Sequence, residues 1–101
     1  MQDPTGKAAV VTGSAADISA TLLALLQKRE PTSSICPSDV ARALAGEESE
    51  WRALMQPVRD VAAALARKEV IVITQGKQQV DPANVDQGPI RLRRGPAFPA
   101  G

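Results

Sequence analysis

The stretch KAAVVTGSAADIS, residues 7–19, has a short apolar run, a glycine and the start of a helical pattern, the layout of a turn that cradles a dinucleotide pyrophosphate. Such a turn needs several glycines, so that the backbone bends tightly, approaches the phosphates and lets the helix pack close to its strand. Only Gly13 is present, and Asp17 and Ser19 stand where the later glycines of a T-G-x-x-x-G-x-G motif fall. An aspartate in the first helical turn also places negative charge where the pyrophosphate would sit. Ser14-Ala15-Ala16-Asp17 reads instead as a capping box, with Ser14 as N-cap and Asp17 at N3.

The other groups suited to chemistry are Cys36, at the start of a second helix where the dipole favours a thiolate, and the carboxylates Asp39 and Glu47. None has a partner at the spacing of a nucleophile with its base or of an acid with its base. The chain has no histidine and one cysteine, which removes Ser-His-Asp and Cys-His catalysis, an internal disulfide and the usual zinc sites. The residues therefore read as those of a non-enzyme, with no catalytic group, no metal and no cofactor.

With 44% apolar and 23% charged residues among 101, the chain suits one globular domain. Its longest apolar run, Val61 to Ala66, is far short of a membrane span, and the sequence opens without a charged-then-apolar leader, so a cytoplasmic protein with no membrane partner is expected. The net charge is +1, unevenly spread. Arg67, Lys68, Lys77, Arg91, Arg93 and Arg94 against Glu69, Asp81 and Asp86 give residues 67–94 a charge of +3, and residues 1–66 carry −2. A basic second half fits a polyanionic partner, although a solvated surface is the commoner cause of such a bias.

These residues need elements to position them. Residues 1–13 read as a flexible arm or edge strand, built on Ala8-Ala9-Val10-Val11. Ile18, Leu22, Leu25 and Leu26 predict a helix from Ala15 to Arg29, stopped by Pro31. In ICPSDVARAL, Cys36 is the expected N-cap, Pro37 fits N1, Asp39 at N3 suits the dipole, and Gly46 ends the helix. Pro57 divides the third helical region into a short turn at 50–55 and a main helix from Pro57 to Lys68. Trp51, Leu54, Met55, Val58, Val61, Ala62 and Leu65 share its apolar register, and Leu44 joins them from the second helix. Residues 70–74 predict a strand, Gly76-Lys77 a type II′ turn, and Ile90-Arg91-Leu92-Arg93 an alternation of inward apolar and outward basic side chains. Either the return strand is 78–80 with 90–93 as a further strand, or 76–89 is one long wing. Both faces of strand 70–73 are apolar, so the arm or a second copy of the chain is expected to cover it. Residues 95–101 read as a flexible tail.

The predicted class is mainly α with a small antiparallel sheet, a winged helix-turn-helix of three helices plus a wing spanning 14–94, with Ser34-Ile35 pairing with the wing. ICPSDVARAL, WRALMQPVR, ITQGKQQVDP and GPIRLRR resemble the bacterial domain-of-unknown-function family numbered 3253, over about residues 17–94. The resemblance implies a winged-helix-like fold and no assigned activity. Such sequences often carry a glycine between the third helix and the strand, where this chain has Lys68-Glu69, which leaves that junction open. Two functions are expected of such a fold. In one, double-stranded DNA is bound with helix 57–68 in the major groove: Gln56, Arg59, Asp60, Ala63 and Arg67 face bases, and Lys77, Arg91, Arg93 and Arg94 meet phosphates. In the other, the same surfaces bind a protein and no nucleic acid.

Overall fold

The computed structural model describes residues 14–85 and 88–99. Ser14 is the N-cap of α1 (Ala15–Gln27), and its Oγ accepts a hydrogen bond from the Asp17 amide at 3.1 Å. The stretch that mimics a dinucleotide turn therefore runs into a self-capped helix. Its glycine, with the rest of the expected arm at 1–13, lies outside the described residues. Ile18, Leu22 and Leu26 are buried at helical spacing, whereas Leu25 lies at the rim of the core. The helix stops at Gln27, short of Arg29, with the Lys28 amide bonded back to the Ala24 carbonyl.

β1 (Ser34–Ile35) leads into α2 (Pro37–Leu44). Cys36 is the N-cap, Pro37 takes the first helical position, where a missing N–H costs nothing, and the Asp39 carboxylate accepts from the Cys36 amide at 2.9 Å. The exit differs from expectation. Ala45 leaves the helix in extended conformation at φ −142°, so no left-handed cap forms at Gly46.

The third helical region is two helices, α3 (Glu48–Ala53) and α4 (Met55–Arg67), broken at Leu54. α4 starts two residues before the expected Pro57. The proline ring crowds the carbonyl four residues back, that of Ala53, and there the first helix ends; within α4 the proline sits in the first turn, whose N–H groups lack intrahelical partners. On α4, Val58 and Ala62 are buried as expected and Ala63 joins them, while Val61 and Leu65 are half-buried. Alanines let α4 approach its neighbours closely, and the bulkier side chains flank the contact. Trp51, Leu44 and Leu54, expected inside, sit at the rim, and Ala41 and Val85 fill core positions instead.

α4 closes in a Schellman motif: the Val70 amide bonds the Leu65 carbonyl and the Glu69 amide that of Ala66, both at 3.0 Å, with Glu69 at φ +64°. That resolves the open junction and moves the strand start from Val70 to Ile71. β2 (Ile71–Gln75) turns into β3 (Gln78–Gln79) through Gly76 at φ +63°, with Lys77 not left-handed, as a type II′ turn requires. After a 3₁₀ turn (Pro82–Asn84), β4 (Arg91–Arg94) returns on the other side of β2. The antiparallel order is β1-β4-β2-β3, the first of the two wing registers considered. Ile35, Leu92 and Ile73 align across three strands and are buried; Ser34, Arg93 and Val72 align on the outer face. The fold is mainly helical with a small antiparallel sheet, compatible with a winged helix to which α3 has been added.

Candidate nucleic-acid interface

The nine residues expected to meet nucleic acid fall on three elements. On α4, Gln56, Asp60 and Arg67 are exposed, and the Gln56 amide donates to the Asp60 carboxylate at 2.9 Å, one helical turn on. Ala63 is not on this face. It is 5% exposed, on a helix against which the 3₁₀ turn packs. Arg59, expected to read bases, is half-buried and donates to the backbone carbonyls of Val85 and Gly88, the latter at 3.3 Å. Val85 is buried in turn. The wing segment is thus tied to α4 at Arg59.

Lys77 is exposed in the β2–β3 turn. On β4 the alternation places Arg91 and Arg93 outward and Leu92 inward, as expected. What holds the two arginines is β1. Arg91 Nε donates to Ser34 Oγ at 2.9 Å and its Nη2 to the Ser34 carbonyl at 3.0 Å, while Nη1 lies against Cys36 Sγ. Arg93 Nη2 donates to the Thr32 carbonyl at 2.7 Å. The oxygen acceptors, one hydroxyl and two backbone carbonyls, are uncharged. Among the described residues the ion pair is Arg52 with Glu48 at 2.7 Å, so no carboxylate there neutralises Arg91 or Arg93.

Arg94 has a different task. Its Nη2 donates to the carbonyls of Leu26, Gln27 and Arg29 at 3.1, 3.3 and 2.9 Å, and its guanidinium stacks 4.8 Å from the centre of the Phe98 ring. It ties β4 to the carbonyl end of α1, where the helix dipole favours a cation, and is not presented to a phosphate. The sequence reasoning missed Ser34 and Thr32 as the groups that fix the outward arginines. The available signal was the pairing of Ser34-Ile35 with the wing, which places a hydroxyl beside the basic alternation. It also missed the surroundings of Trp51, whose ring lies 4.5 Å from the Arg42 guanidinium and 4.9 Å from that of Arg52.

The candidates for other chemistry stay apart. Asp39 is occupied as the capping carboxylate of α2, and among the described residues no three His, Cys, Asp or Glu side chains gather as a metal set would need. No helix among those residues is long and apolar enough to cross a membrane.

A family model described as protein of unknown function, DUF3253, matches residues 15–95, from the first residue of α1 to the residue after β4. The chain belongs to the DUF3253 family. The match includes every helix and strand described above, so the outward arginines of β4 and the β1 residues that hold them lie inside the DUF3253 domain. No curated protein matches the chain.

Proposed function

We propose that this DUF3253 domain is a cytoplasmic, non-enzymatic winged-helix module that binds double-stranded DNA through its phosphates, using the outer face of the sheet rather than α4. The observation that carries the reading is the pair Arg91 and Arg93, side by side on the solvent face of an interior strand and held by neutral groups. A guanidinium has five N–H donors in a planar fork. Those not engaged by β1 remain for an anionic oxygen, and because the fork is already oriented, little rotamer entropy is lost on contact. Lys77, in the β2–β3 turn of the same sheet, adds a third cation. The wing segment bonded to Arg59 argues against base reading by that residue, which leaves binding dominated by the backbone and independent of sequence.

Fluorescence anisotropy of labelled random duplexes at low and moderate salt tests this. The wild-type chain binds at low salt, with affinity falling as salt rises. The double variant Arg91→Ala with Arg93→Ala binds more weakly, with a log-log salt slope shallower by about 1.8, two contacts at about 0.9 each. Absence of binding at low salt, even at high micromolar protein, returns the surface to the protein-interaction reading.

A further inference from the structure

Resting on that reading, we propose that Ser34 is a phosphorylation site whose monoester is received by Arg91 and Arg93, and that this modification releases the duplex. Ser34 stands directly across from Arg93 in the β1–β4 ladder, and its hydroxyl already accepts from Arg91 Nε at 2.9 Å. Arg91 thus touches the hydroxyl and Arg93 stands opposite it on the ladder, and no carboxylate among the described residues pairs with either guanidinium. The residue is half-buried on an edge strand that pairs only with β4 among the described residues, at the end of the polar connector Thr32-Ser33-Ser34, so a kinase would have to lift this short edge segment to reach it. A protein kinase would transfer the γ-phosphoryl group of a nucleoside triphosphate. The Ser34 Oγ–phosphorus bond forms, the bond to the β-phosphate oxygen breaks, the hydroxyl proton passes to the kinase's base, and the diphosphate leaves.

The ester brings a charge of about −1.5 to −2 and three acceptor oxygens. That offsets the two positive charges of Arg91 and Arg93 and fills the N–H groups a DNA phosphate would take. Asp39, one turn into α2, keeps its carboxylate on the Cys36 amide, and the Cys36 thiol lies against Arg91. Among the described residues, Arg91, Arg93, Cys36 and Asp39 are the ionisable groups bonded at or next to the seat.

Cys36 makes the test practical, because a synthetic 1–35 thioester carrying phosphoserine at 34 can be ligated to a 36–101 fragment that begins with Cys36, giving the full chain. Phosphorus NMR then follows the ester. Its second ionisation is expected to fall below the value of about 6 for free phosphoserine, and to return toward it in Arg91→Ala and in Arg93→Ala. The modified chain is expected to melt no lower than the unmodified one and to bind duplex at least tenfold more weakly at low salt. A titration matching that of the free 1–35 phosphopeptide, or a marked fall in melting temperature, overturns the proposal; so does undiminished duplex binding by a modified chain. If the unmodified chain binds no duplex, the proposed function and the release step fall, while the phosphorus titration still decides whether the two arginines receive the ester.

Discussion

Glu69 holds a conformation that costs most side chains about 1 kcal/mol or more, because its Cβ crowds the backbone at positive φ. It does so at the one position of the α4 exit where a Schellman motif needs a left-handed residue. Glu69→Gly is accordingly expected to stabilise the domain by about 1 kcal/mol, read as a melting temperature higher by roughly 4–8 °C. An unchanged or lower melting point would mean that the glutamate side chain has a compensating partner. The neighbouring glycine behaves oppositely. A Cβ on Gly95 would lie 2.4 Å from the Glu69 carbonyl oxygen, which also accepts from the Ala97 amide, so Gly95→Ala must push apart the α4 exit and the chain after β4. A loss on the order of 3 kcal/mol is expected in chemical denaturation. For Trp51→Ala, a ring at the rim loses less than a ring in the core: about 2 kcal/mol, against the roughly 3–5 that complete burial would bring.

At the scale of elements, the two helix starts were legible because capping is local chemistry: Ser14 with Asp17, and Cys36-Pro37 with Asp39, act within four residues of one another. The outward alternation of Arg91 and Arg93 was legible for the same reason. The burial of Ala63 was not. A periodicity weighted by bulk aims Val61 and Leu65 inward, but they stay half-buried while Ala63 is buried, and nothing in the local pattern states how near a neighbour will come. The intramolecular partners of Arg59 and Arg94 were not legible either, because their acceptors are backbone carbonyls 26 to 68 residues away. The Arg59 contacts give a direct check on the wing. Arg59→Ala leaves the Val85 carbonyl without its donor and should cost about 1–2 kcal/mol, with faster amide exchange at Ala83 and Asn84. Equal exchange in the variant would show that burial of Val85, not the arginine, holds the segment.

At the scale of the molecule, the sheet order matters most, since β4 lies between β1 and β2 although it follows both in the chain. A chain ended at Pro89 should lose cooperative melting, because β1 is left without a partner and the core without Ile90 and Leu92. Retention of a sharp transition by that fragment would mean that the helices alone form a stable core. The same order governs synthesis on the ribosome. Ser34 and Arg91 are 57 residues apart, so at about 5–20 residues per second the first strand waits roughly 3–11 s for its partner to be translated. During that interval Ile35, and Ile71 and Ile73 once they are made, lack the strand that pairs beside them, and the nascent chain displays unpaired apolar strand edges of the kind that recruit chaperones or other nascent chains. The segment that presents Arg91 and Arg93 to solvent is thus also the one whose arrival ends that exposure.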